Sequence, residues 1–224
     1  MPDFKTYYWG PYIVEGFIND ELVEELLIKG MECKNIKELD ARPYLAGMVD
    51  KEFYYNDWTW FVPKFNQYVV FYLDKLADYR NNAFLHLDKD QGKYWGENKK
   101  ATVTWTLDKL WINFQESFEY NPPHNHTGDI SFVIYLKVPK EIKEENEAML
   151  GVHNNPGPGM INFEYGEDLP FSISKIVKLP EEGSFFMFPS WLKHYVFGHT
   201  SDVERISVSG NISLQVKVHD EIER

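Results

Sequence analysis

The chain has 224 residues, 43% hydrophobic and 17% aromatic, a composition that suits one packed core and excludes a disordered chain. Its net charge of −12 excludes bulk nucleic acid and anionic membrane as general electrostatic partners. The single cysteine, Cys33, allows no internal disulfide, the Met-Pro-Asp-Phe-Lys start has no apolar signal core, and no apolar run approaches a membrane span. A soluble, cytoplasmic protein is expected.

In chain order, residues 7–18 alternate aromatic and aliphatic side chains and predict a strand with a turn at Gly10-Pro11. Asn19-Asp20 reads as a helix start, Leu22, Val23, Leu26 and Leu27 follow at helical spacing, and Gly30 reads as the stop. The polar stretch 31–57 carries Tyr44-Leu45-Ala46-Gly47-Met48, placed here at the edge of a site. Residues 58–80, with Trp60, Phe61, Phe65, Tyr68, Val69, Tyr72, Leu73 and Leu76, predict an amphipathic helix whose aromatic stripe is core. Residues 81–100 read as loop.

Near residue 100 the periodicity changes from helical to alternating. Thr102 to Phe118, Ile130 to Val138, Met160 to Glu164, Ser172 to Leu179, Ser184 to Phe188 and Arg205 to Val218 read as strands. Lys140 to Glu147 reads as a solvated excursion, and Gly151 to Gly159, which includes His153, as a mobile loop beside the substrate entrance. The expected architecture is mainly β with flanking helices. A support of residues 1–100 precedes a jelly-roll (double-stranded β-helix) core over 101–218, all in one domain.

The chemistry gathers in two stretches. In Asn121-Pro-Pro-His124-Asn-His126-Thr-Gly-Asp129, the two histidines stand two residues apart, so on an extended backbone both face one way and can converge on one ion. The bend at Thr127-Gly128 offers a way to swing Asp129 toward the same point. In the second stretch, His194 follows an apolar strand, and Arg205 and Ser207 alternate on one face of the last strand.

Together these stretches resemble the iron(II)- and 2-oxoglutarate-dependent oxygenases, in particular a compact bacterial and phage group. That group has a W-x-N strand, an H-x-H segment, an S-x-x-x-Y strand and a W-L-x-H…R-x-S ending. Here these are Trp111-Ile-Asn113, His124-Asn-His126, Ser131-Phe-Val-Ile-Tyr135, and Trp191-Leu-Lys-His194 to Arg205-Ile-Ser207. The resemblance spans about residues 105–216. It implies a jelly roll, Fe(II), 2-oxoglutarate and O₂ as cofactor and cosubstrates, and hydroxylation of a small-molecule or peptidyl substrate. It places Arg205 on the far carboxylate of 2-oxoglutarate, with Ser207, Tyr135, Ser131 and Asn113 around it. The usual third ligand is a carboxylate. This chain offers His124, His126 and His194 as an all-histidine set, with Asp129 as the alternative third ligand. Three histidines suit zinc as well as iron. A cupin-type metalloenzyme that does not use 2-oxoglutarate and a non-catalytic jelly-roll binding module are the alternative readings.

Overall fold

The computed structural model describes residues 10–84, 99–149 and 157–220. Ten strands form two antiparallel sheets. The larger sheet contains β1 (Val14–Phe17), β2 (Glu52–Tyr54), β3 (Lys99–Gln115), β5 (Ile130–Lys137), β8 (Ser184–Pro189) and β10 (Arg205–Asp220), in the order β1-β8-β5-β10-β3-β2. The smaller contains β4 (Asn121–His124), β6 (Ile161–Glu164), β7 (Lys175–Lys178) and β9 (Lys193–Val196), in the order β4-β9-β6-β7. This is the jelly-roll core that the alternating periodicity predicts.

The central strands are buried on both faces, and period-two alternation sorts their side chains into two layers. Phe132, Ile134, Ile112, Phe114, Val208, Phe185 and Met187 join one cluster with the helices. Tyr135, Phe186 and Phe188 join a second with Ile161, Phe163, Leu192 and Val196 of the small-sheet side. Helices α1 (Asp20–Cys33) and α2 (Phe61–Phe84) cover the outer face. Asn19 caps α1 by accepting from the Leu22 amide at 2.8 Å.

The stripe on α2 works as core. Phe61, Phe65, Val69 and Tyr72 are fully buried, and the Phe65 ring lies 4.7 Å from Phe61 and 4.6 Å from Phe132. Phe65→Ala removes the centre of this cluster and is expected to cost about 3–5 kcal/mol, read as a lower urea midpoint at unchanged slope.

Several expectations are corrected. Gly30 does not end α1. It lies inside the helix because an added Cβ would meet Ile112 Cδ1 at 2.2 Å and the Tyr55 hydroxyl at 2.8 Å, so only glycine lets the helix approach the sheet this closely. Lys140 to Glu147 is no solvated excursion but part of helix α3 (Lys140–Met149), which buries Ile142 and Asn146. The strand expected at Ser172–Leu179 shortens to β7, and in the described part of 7–18 the strand is β1, with Gly10 in a bend. Helix α2 runs on to Phe84, and β3 begins at Lys99, before the expected boundary. The rest of the 81–100 loop, and most of the 151–159 loop with His153, lie outside the described residues. The short strands β2, β4 and β9 had no sequence signal of their own.

Candidate active site

One strand pairing and the segment just beyond β4 bring three imidazoles together. On β4, Pro122 and Pro123 keep the chain extended into His124, which lies directly across from His194 on β9. His126 follows just beyond β4, its amide donating to the Ser190 carbonyl at 2.9 Å. Ring centroids are 4.8 Å apart for His124 and His126, 4.3 Å for His124 and His194, and 5.1 Å for His126 and His194. One ligand nitrogen from each lies within 4.8 Å of the others, so the three could hold one metal ion.

The environment favours the form that a metal needs. Burial lowers the pKa of all three rings, with the neighbouring histidines adding to it at His126 and His194. His126 is brought down to about 4 and His194 well below the usual range. The imidazoles are therefore neutral at pH 7. Nδ1 of His124 lies 2.7 Å from the Pro122 carbonyl, and Nδ1 of His194 lies 2.9 Å from the Leu192 carbonyl. A carbonyl can only accept, so Nδ1 carries the hydrogen in both rings and Nε2 keeps its lone pair. Phe188 and Phe163 flank His194, and Trp111 flanks His126.

A cleft beside them runs between the sheets. Its other wall is the inner face of the large sheet. Cross-strand rows place Glu52, Asn113, Ser207 and Tyr135 side by side, and next to them Trp111, Ser209 and Val133. Arg205 lines the same cleft and is 3% exposed. Its Nη1 donates to the Gly159 carbonyl at 2.8 Å and its guanidinium stacks over Tyr135 at 5.3 Å, yet its Nε has no partner. Among the described residues no carboxylate pairs with it. Burial lowers its pKa, and the Tyr135 ring partly opposes that.

Helix α3 helps to fix this arginine. Asn146 of α3 donates to the Pro158 carbonyl, and an added Cβ on Gly159 would meet Ile142 at 2.6 Å. Gly159 also has φ of +69°, so the turn that presents its carbonyl to Arg205 requires glycine. The buried Tyr135 hydroxyl has no partner, and burial pushes its pKa up to about 12 despite the opposing pull of Arg205. Asn113 Nδ2 approaches the Ser207 hydroxyl at 3.4 Å and its carbonyl at 3.5 Å.

Other expected residues lie elsewhere. The bend at Gly128 forms, with φ of +93°, but it carries Asp129 to β10, where its carboxylate accepts from the Leu214 amide at 2.7 Å. Asp129 is outside the histidine cluster and the cleft lining. The Ser131 hydroxyl is bound to Ser190 and Asn211, both at 2.9 Å, and does not line the cleft.

Residues 109–211 match the family model described as "Putative 2OG-Fe(II) oxygenase". These residues are a little under half of the chain, and over them the chain is similar to that family. No curated protein matches the chain. Solved structures similar to this chain include a viral collagen prolyl hydroxylase from Paramecium Bursaria Chlorella virus-1 in complex with 2-oxoglutarate (14% identity, 90% of this chain and 94% of that chain, TM-score 0.46). A Pseudomonas putida prolyl-4-hydroxylase is also similar (14% identity, 90% and 91%, TM-score 0.47). A third is a prolyl hydroxylase from Trichoplax adhaerens in complex with a hypoxia inducible factor peptide fragment (14% identity, 95% and 84%, TM-score 0.47). Among the described residues, no helix is long and apolar enough to cross a membrane.

One cleft residue had no sequence signal: Glu52. It is 1% exposed, its Oε2 has no partner, and its pKa is raised to about 7. Burial is the main cause, Glu119 and Asp40 add to it, and Arg42 opposes it. It stands in a stretch that reads as polar, and nothing in Glu52-Phe53-Tyr54-Tyr55 says that the acid faces inward. The folded state holds this proton more tightly than the unfolded chain does. The associated stability is therefore fully present below the ordinary carboxyl value and is lost as pH rises through about 7. The loss is on the order of 3 kcal/mol. Glu52→Gln is expected to flatten the melting temperature between pH 5 and pH 8 and to exceed the native protein at pH 8. A mutant profile that still falls with pH would assign the ionisation to another group.

Proposed function

We propose that this protein is an iron(II)- and 2-oxoglutarate-dependent hydroxylase, coupling decarboxylation of 2-oxoglutarate to oxygen insertion into a C–H bond of a peptidyl side chain or a small molecule. The observation that carries the reading is a neutral three-histidine cluster facing the same cleft as a buried, anion-seeking arginine. In this reading His124, His126 and His194 hold the iron, leaving positions open for the 2-oxo acid and O₂. Arg205 takes the far carboxylate of 2-oxoglutarate through paired charge-assisted bonds. When bound, iron and 2-oxoglutarate together supply the reducing equivalents that activate O₂.

The chain's own residues bind, orient and exclude water. The Nδ1 hydrogen bonds of His124 and His194 fix both rings with the lone pair of Nε2 free. Tyr135 stays a neutral phenol, so its O–H is available to donate to the same carboxylate as Arg205. Asn113 Nδ2 occupies the Ser207 oxygen, which leaves the Ser207 O–H free to donate as well. Phe163 and Phe188 shield the histidine cluster from bulk water. A cupin-type enzyme that ignores 2-oxoglutarate leaves Arg205 buried without purpose, at a standing desolvation cost.

The test is direct. Purified protein with Fe(II) and O₂ is expected to convert 2-oxoglutarate to succinate and CO₂, slowly without a primary substrate, and to stop when a chelator is added. Metal-loaded protein that neither binds nor consumes 2-oxoglutarate would overturn the reading.

A further inference from the structure

The cleft holds more acceptor oxygens than its own donors satisfy. Glu52 Oε2 and Asn113 Oδ1 are both buried without a partner, and both residues line the cleft. The Asn113 amide orientation is fixed, because its other end faces the Ser207 carbonyl, which accepts only a donor. Glu52 and Asn113 are direct cross-strand partners, so these oxygens share one side of the sheet. A third acceptor, Asn121 Oδ1, stands close by. An added Cβ on Gly47 would meet it and Glu52 Oε1 at 2.5 Å each, so Gly47 brings the loop against both groups at once. Leu45, Ala46 and Gly47 wall this end of the cleft.

Arg205 does not serve these acceptors. In register, Glu52 lies across β3 from Ser207 on β10, two strand spacings or roughly 10 Å away. Arg205 instead meets the Gly159 carbonyl and the Tyr135 ring. No ion pair of Glu52 occurs among the described residues. The cleft is thus polarised, with a cation at one end for the cosubstrate and convergent acceptors, one of them a carboxylate, at the other.

We propose that Glu52, with Asn113, is the specificity determinant for the primary substrate, and that this substrate presents a cationic nitrogen, an ammonium or a guanidinium, to the Glu52 end of the cleft. The inference rests on the oxygenase reading above. A cation with several N–H donors answers all the unsatisfied oxygens at once. A neutral hydroxyl supplies a single donor and gives the Glu52 carboxyl no counter-charge. The nitrogen comes either from a free basic amino acid or from a lysine or arginine side chain within a peptide, and the two are separated by the test.

Protein loaded with Mn(II) and 2-oxoglutarate in the absence of O₂ is titrated by calorimetry with matched pairs. These are L-arginine against L-citrulline, L-lysine against Nε-acetyl-lysine, and pooled peptides with a central Arg or Lys against the same peptides with citrulline or acetyl-lysine. In at least one pair the cationic member is expected to bind about tenfold tighter or more, the scale of one charge-assisted bond. Glu52→Gln is expected to reduce that preference to within about twofold, and Glu52→Asp to keep part of it. The pair that responds, free or peptidyl, identifies the source. Equal binding of neutral and cationic members, no binding by any cationic probe, or an undiminished preference in a folded Glu52→Gln protein would each overturn the assignment. Mn(II) and 2-oxoglutarate binding to the native protein is measured in the same samples. If both bind and the cation preference is missing, only the substrate assignment falls. If they do not bind, the reading of the cleft falls first.

Discussion

Arg205→Ala is expected to bind Fe(II) as the native protein does and yet to require more than about a hundredfold more 2-oxoglutarate. The guanidinium is almost fully buried, carries an unpartnered Nε, and meets no carboxylate among the described residues. A buried charge of this kind is unfavourable until an anion arrives, and the anion is held correspondingly well. Removing the arginine strands the incoming carboxylate at a cost of roughly 3–5 kcal/mol, and each 1.4 kcal/mol is tenfold in affinity. Arg205→Lys restores only part of the loss, because a point charge cannot reproduce the paired bonds of the fork. Arg205→Met gives a control on stability. It keeps much of the volume and removes an unpaired charge, so the ligand-free variant is expected to melt no lower than the native protein. Anaerobic calorimetry with metal-loaded protein reads the affinity, and a native-like value for Arg205→Ala would remove the arginine from the cosubstrate site.

His194→Ala is expected to weaken metal binding by well over a hundredfold, with the fold intact. Groups that only orient a ligand typically change affinity by about 10–100-fold when removed, and the loss of a ligand itself exceeds that. His194 is the most buried of the three rings, pinned by the Leu192 carbonyl and flanked by Phe188 and Phe163. Among the described residues no further donor joins the cluster to replace it. His124→Ala and His126→Ala are expected to behave alike. Asp129→Ala is expected to leave metal affinity unchanged, because its carboxylate is engaged by the Leu214 amide on β10. Competition titrations against a metal indicator check all four. Retained affinity in His194→Ala, or a large loss in Asp129→Ala, would move the metal away from the three-histidine cluster.

What the sequence determined is local and periodic. Two histidines at i and i+2 share a face wherever the backbone is extended, and Pro122-Pro123 makes it extended, so His124 and His126 were bound to point one way. The same rule put Arg205 and Ser207 on one face of β10, and the spacing Phe61, Phe65, Val69 and Tyr72 put one buried stripe on α2. What the tertiary structure decided depends on contacts between distant parts of the chain. A bend at Gly128 was legible, but its direction was not, because the Leu214 amide that draws Asp129 away lies 85 residues further on. Gly30 reads as a helix stop until Ile112 is seen 2.2 Å from where its Cβ would be. The charged run that begins at Lys140 became a helix because Ile142 and Asn146 found buried places against the Pro158–Gly159 turn. Glu52 is the sharpest case. A glutamate in a short polar stretch carries no sign of burial, and only its pairing with Asn113 across β3 turns it into the cleft. Alternation fixes which residues share a face, whereas which face is covered, and by what, is set by strand order, and that is a property of the whole fold.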